Sequence, residues 1–264
     1  MRTLHFLCFA LILGVGVLSC RAQRSKSYTG SSHFITKQVA AAGDFQKIRL
    51  KGSSDVEYRQ VVGAVNLHSA TPLGNLVDLL EVEVTGNVLY IKYKDNVSIS
   101  GNRHPKIIAS SSGLKDIRAV GAGDVKIKSP LNGDNLVIDL VGSGDLQGDV
   151  FDFKTITINI AGSGDVTLNK LTCDRFKTVI KGSGDIRVAG SAKSANFNVS
   201  GSGDISAGRL VADEVSATVR GSGEITCHAV EVMDGDARGS GTIRYYGNPK
   251  KVSMSGRKGS VRKH

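Results

Sequence analysis

The sequence predicts an all-β protein, a parallel β-helix (solenoid) with coils of about 20 residues. Three observations predict it. A four-residue corner recurs as Gly121-Ala122-Gly123-Asp124, Gly142-Ser143-Gly144-Asp145, Gly162-Ser163-Gly164-Asp165, Gly182-Ser183-Gly184-Asp185, Gly201-Ser202-Gly203-Asp204, Gly221-Ser222-Gly223-Glu224 and Gly239-Ser240-Gly241-Thr242, and the steps between first glycines are 21, 20, 20, 19, 20 and 18. The flanks alternate with the period of two that marks half-buried strands, as in Leu136, Ile138, Leu140 and Ile156, Ile158, Ile160 before the corner and Val125, Leu146, Val166, Ile186, Ile205 and Ile225 after it. The composition, with 32 glycines and 4 prolines in 264 residues, fits many regular turns rather than disorder or collagen. A meander of hairpins is the competing all-β arrangement; it accounts for the alternation but not for identical corners one coil apart.

Taken in order, residues 1–20 read as a signal peptide with a lipobox-like end. Arg2 and His5 precede an apolar run from Phe6 to Leu18, too short for a membrane-spanning helix. The run closes on Val17-Leu18-Ser19-Cys20, where Cys20 is the expected lipidation site; cleavage after Ala22, which would leave a soluble periplasmic or secreted chain, is the alternative. Residues 21–33 are small and polar without periodicity and read as a tether.

Residues 34–115 carry irregular β coils, including Phe45-Gln-Lys-Ile-Arg-Leu, the degenerate corner Gly52-Ser53-Ser54-Asp55, and Val88-Leu-Tyr-Ile-Lys-Tyr. They are expected to open the stack and cover its first edge. Residues 116–247 hold the regular repeat. Residues 248–264 form a basic cap or tail, since Lys-rich ends are one way to prevent edge-to-edge pairing of strands.

The formal charge of +10 is local. From Arg238 onward there are eight Lys and Arg residues and no Asp or Glu. A candidate basic patch of Lys250, Lys251, Arg257, Lys258, Arg262 and Lys263 could meet an anionic glycan or a lipid headgroup. No nucleic acid is expected, because few aromatics are interleaved and no nucleic-acid motif accompanies the patch.

Of the four cysteines, Cys8 leaves with the signal and Cys20 lies at its end. Cys173 and Cys227 fall in inward columns two to three coils apart, roughly 10 to 14 Å along the axis. That exceeds disulfide reach, so both are expected as buried thiols.

Stacked corners place Asp124, Asp145, Asp165, Asp185, Asp204 and Glu224 in one column about 5 Å apart, where neighbours repel by roughly 1 kcal/mol even in water. Two arrangements offset this. Each carboxylate accepts corner N–H bonds and stays solvated, or the six acids supply oxygens to a ladder of Ca²⁺ ions. The first is preferred and no cofactor or metal is expected.

The six histidines (His5, His33, His68, His104, His228, His264) form no metal or triad spacing, and no G-x-S-x-G elbow with helix context exists. A β-helical polysaccharide-active enzyme needs a carboxylate pair in a cleft. Here the acids are the repeat itself and Trp is absent, so an enzyme is not expected.

The signal segment ending in Cys20, the opening Phe45-x-x-Ile48-x-Leu50-x-Gly52-x-x-Asp55 and the serial corners together resemble the putative auto-transporter adhesin head domain family, also called the head GIN domain. The resemblance spans about residues 38 to 245. It implies a right-handed β-helical exported domain of Bacteroidetes-type bacteria, often on an outer-membrane lipoprotein, with an adhesin-like role. It carries no catalytic residues. Ala122, Glu224 and Thr242 depart from the corner pattern and argue against a uniform metal ladder. The function expected is a cell-envelope binding module without catalysis, with a glycan or a surface protein as partner and the membrane reached through a lipid anchor. A structural or signalling-associated envelope protein without a ligand is the alternative.

Overall fold

The computed structural model describes residues 26–29, 35–38, 43–61, 67–71, 76–100 and 104–264. The signal segment, Cys20 and the cleavage site near Ala22 lie outside the described residues. Stacked parallel coils of about 20 residues form a β-solenoid of about seven turns.

Along the regular part, the long strands Leu131–Gly142, Leu146–Gly162, Val166–Gly182, Ile186–Gly201 and Ile205–Gly221 bend around the coil, each hydrogen-bonded in parallel to the next. The first glycines of successive corners pair in register from Gly121 through Gly239. Parallel, in-register pairing rules out a meander. The 19-residue coil between Gly182 and Gly201 is accommodated by a register shift in which Ala189 stands opposite both Asn169 and Lys170. The next residue, Gly190, pairs with Leu171 and has φ 133° and no room for a Cβ against the Leu171 carbonyl.

The alternating residues fill the interior because successive side chains on a strand point to opposite faces. One inward column runs Ile48, Ile117, Ile138, Ile158, Thr178, Phe197, Ala217. The column beside it runs Leu136, Ile156, Phe176, Ala195, Val215, Met233. Large and small residues alternate within each column: Phe197 stands between Thr178 and Ala217, and Phe176 next to Ala195. The two rings meet edge to face at 6.1 Å, a favourable aromatic geometry.

The beginning of the rod is not laid down in chain order. The strands Lys47–Gly52 and Asp55–Gln60 sit between the later pair Val88–Tyr93 and Lys106–Ser111 on one side and Asp116–Gly121 and Val125–Ile127 on the other. The strands Leu67–Thr71, Leu80–Thr85, Val88–Tyr93 and Lys106–Ser111 therefore make the outer layer, and the chain then returns past its own first strands to start the regular stack. Antiparallel pairing closes this layer: Leu80–Thr85 folds back on Val88–Tyr93, and Leu67–Thr71 pairs with both Lys106–Ser111 and Ile35–Gln38. Lys26–Thr29, within the segment expected to be a polar tether, pairs in parallel with Val97–Ser100 as a separate two-stranded sheet.

At the other end, Lys251–Gly256 pairs with residues 232–237, and Val261–Lys263 pairs with residues 243–245. Val252 and Met254 continue inward columns, but they are 44% and 48% exposed because no strand of the described residues lies beyond them.

Candidate functional site

The corner column is explained by its own backbone. Gly162 has φ 138°, open only to glycine at low cost, and a Cβ there would sit 2.2 Å from the Gly142 oxygen. Gly164 has ordinary φ, yet a Cβ there would lie 2.2 Å from the Gly144 oxygen. Both glycines are required because successive corners touch backbone to backbone. The second position is open to solvent, which permits Ser or Ala122. In the degenerate corner the third position is Ser54, fully buried with its hydroxyl 3.0 Å from the Tyr93 hydroxyl; the Gly121 corner packs on one side of it, and a tyrosine side chain takes the place of a preceding corner on the other.

The close approach aims three N–H groups at the preceding coil. Ser163 and Gly164 both donate to the Gly142 carbonyl, at 2.8 and 3.2 Å. The third, from the acid itself, donates to the carboxylate of the previous acid. The bonds run from Asp124 to Asp55, Asp145 to Asp124, Asp165 to Asp145, Asp185 to Asp165, Asp204 to Asp185 and Glu224 to Asp204, at 2.7 to 3.0 Å. Each carboxylate thus accepts an N–H from the next coil rather than from its own turn. A charged acceptor roughly doubles the strength of such a bond, which offsets the repulsion along the column.

Arg187 adds a cation, reaching Asp165 at 3.3 Å and Asp185 at 2.9 Å. Burial is the largest influence on Asp55 and raises its pKa above the ordinary 3.8, while the Asp124 N–H pulls the other way. The column ends at Glu224, whose carboxylate meets Arg244 at 2.9 Å and the Thr242 hydroxyl at 3.3 Å. Thr242 N–H instead donates to the Gly223 carbonyl. No group of three or more His, Cys, Asp or Glu poised for a metal occurs among the described residues.

The basic residues ring the last coil instead of converging. Lys250 and Lys251 stand at one end of a six-residue strand and Arg257 and Lys258 at the other, roughly 20 Å away. Lys250 is paired with Glu231 at 2.7 Å and Lys263 donates to the Asn248 side-chain carbonyl. Lys251, Arg257, Lys258 and Arg262 are exposed.

Both thiols are held protonated at neutral pH. Cys173 and Cys227 are free and buried, and burial pushes each pKa up to about 12. His228 and His264 flank Tyr246, the latter stacked on it at 4.4 Å, and belong to the end of the rod.

One feature was missed in the sequence: a groove of about 680 Å³ running along the rod across five coils. Its floor is Gly133, Phe153, Cys173 and Ala192, with Lys154, Asp174, Lys193 and Asp213 on one wall. Aligning the repeats on their corners would have revealed that wall, because its residues recur at steps of 20, 19 and 20.

The comparisons with known proteins agree with this architecture. The family model described as "Putative auto-transporter adhesin, head GIN domain" matches residues 44–169 and 148–249. Among solved structures, a "putative lipid binding protein" from Parabacteroides distasonis is similar at 32% identity with a TM-score of 0.83, covering 90% of this chain and 100% of that one. A "putative adhesin" from the same organism matches at 26% identity and TM-score 0.83, covering 90% and 100%. Another from Parabacteroides merdae matches at 26% and 0.81, covering 90% and 99%. No curated protein matches. A family model spanning most of the chain, together with the stacked corners that carry it, places the chain in the head GIN domain family of putative auto-transporter adhesins.

Proposed function

We propose that the chain is an exported, non-catalytic binding module of the cell envelope with an adhesin-like role, attached to the outer membrane through Cys20 and offering the rod's surface to a glycan or a surface protein. The observation that carries this reading is the use made of the acids. Every corner carboxylate from Asp55 to Asp204 is engaged by the backbone of the next coil. The groups an enzyme of this shape would draw on are thus committed to holding the stack, and the exposed faces remain for recognition. Membership of an adhesin-named family and likeness to two structures described as adhesins support the same reading.

The basic end supports a second surface. Exposed Val252 and Met254 beside Lys251, Arg257 and Lys258 combine apolar area with cations, the chemistry of contact with anionic lipid. The relative described as a lipid binding protein is consistent with that use.

The test is membrane fractionation joined to binding. Wild-type protein is expected in the outer-membrane fraction, and Cys20→Ala in the soluble fraction. The released chain is expected to bind a reproducible subset of a glycan and surface-protein array, with no turnover of any polysaccharide on it. Bond cleavage in a bound glycan would overturn the non-catalytic reading, and silence across the array would favour a structural role without a ligand.

A further inference from the structure

The groove wall is a column of a different kind from the corner. Lys154, Asp174, Lys193 and Asp213 of the wall, and Asp134 just beyond it, occupy successive coils, each flanked by residues that pair in register, so charge alternates at every step of about 4.8 Å. Lys154 closes on Asp134 at 2.7 Å, and Lys193 on Asp174 at 2.7 Å. Lys154 also stands beside Asp174 on the next coil, and Lys193 beside Asp213, by the register of their strands. The cations therefore hold the carboxyls of Asp134 and Asp174 below their ordinary pKa.

Such a row presents donors and acceptors in strict alternation. A ligand of strong single charge gains at one coil what it loses at the next. A hydroxyl both donates and accepts, so it can bond to an Asp oxygen and a Lys ammonium together. The opposite wall adds the hydrogen-bonding side chains of Asn132, Asp152, Thr172 and Ser191 and ends at the exposed Val211. Phe153 on the floor is only 3% exposed, so recognition here rests on hydrogen bonds rather than on stacking against a ring.

The direction of the groove excludes an added strand. It runs across the coils over a face whose backbone groups are already paired from coil to coil, whereas a peptide binding by strand addition needs a free sheet edge. The occupant must be elongated along the axis, periodic on the scale of a coil, uncharged overall and rich in hydroxyls.

We propose that this groove is a glycan site taking a linear, uncharged oligosaccharide parallel to the rod axis, with Lys154, Asp174 and Lys193 bonding its hydroxyls. The proposal rests on the binding-module reading above and gives that reading a ligand class and a location. It is tested by affinity electrophoresis of the full chain through gels containing a neutral linear β-glucan, xylan or mannan, and through polygalacturonate as the anionic counterpart.

Retardation is expected in at least one neutral glycan and not in polygalacturonate. Lys193→Ala is expected to weaken binding about tenfold, the loss of one hydrogen bond to a charged group, and Thr172→Trp, which projects a bulky side chain from the exposed wall, to weaken it by obstructing the groove. Lys181→Ala, on another face, is expected to leave binding unchanged, and all three variants should melt as the wild type does. Neutral-glycan binding that survives both Lys193→Ala and Thr172→Trp with the fold intact would overturn the groove as the site while leaving the binding-module reading in place. Preference for polygalacturonate would also overturn it and point to the basic end. Binding only to a surface protein on the array would remove the glycan and keep the module.

Discussion

Two columns of charge climb the same rod at the same spacing and solve opposite problems. At the corner, like charges stack coil upon coil, and each is tolerated because the backbone of the next coil donates an N–H to it. Along the groove, unlike charges alternate and satisfy one another as exposed side-chain pairs, which contribute little to stability. The difference teaches where to look for function in a repeat. Groups bonded to the backbone of the neighbouring coil belong to the fold, and groups that answer only to other side chains are free to answer to a ligand.

The same chemical change in the two columns should give unequal results. Gly164→Ala places a methyl 2.2 Å from a backbone oxygen that cannot yield without separating two coils, whereas Gly133→Ala places one 2.9 Å from the Phe153 ring edge, which can turn. Urea denaturation should show a loss of about 3 kcal/mol or more for the first and under about 1.5 kcal/mol for the second. Equal losses would erase the distinction between a backbone-bound column and a side-chain column.

The interior supplies a change of opposite sign. Thr178 is fully buried among Ile158, Phe176 and Phe197, and its hydroxyl has no hydrogen-bond partner. Thr178→Val keeps the shape and removes the unsatisfied group, so the unfolding free energy should rise by about 1 kcal/mol. A loss would mean that the hydroxyl is satisfied in solution.

The smallest effect separates the first corner from the exposed ones. Burial raises the Asp55 pKa above its ordinary 3.8. A raised carboxyl contributes stability below the ordinary value, and that contribution is lost as pH climbs through the folded-state value. Asp55→Asn retains the acceptor for the Asp124 N–H without the buried charge. Its melting temperature should exceed that of the wild type at pH 7, and the gap should close in acid. A gap of reversed sign at pH 7 would show that ionised Asp55 is the stabilising form.

Much of this was legible before any coordinates. The corner spacing and the alternation of Leu136, Ile138 and Leu140 or Ile156, Ile158 and Ile160 placed those residues inside, where they are 0 to 2% exposed. The same register separated Cys173 from Cys227, and both are free thiols. Two things were hidden. The insertion of residues 47–60 between the outer layer and the regular stack depends on pairings 40 to 70 residues apart in sequence, and no local pattern encodes which layer lies outside. The acceptor role of the acids was visible as chemistry but not as direction, because whether an Asp bonds its own turn or the next coil's N–H depends on how closely two corners approach.

The account stands most directly on one measurement, the urea unfolding of Asp145→Ala. Asp145 accepts the Asp165 N–H at 2.8 Å, and no ion pair to it is present among the described residues. Removing its carboxylate should lower the unfolding free energy by about 2 kcal/mol, the worth of one hydrogen bond to a charged group, while leaving glycan retardation unchanged. An unchanged midpoint together with lost binding would contradict the account, for it would make the Gly-Ser-Gly-Asp corner a ligand site rather than the turn that holds the rod together.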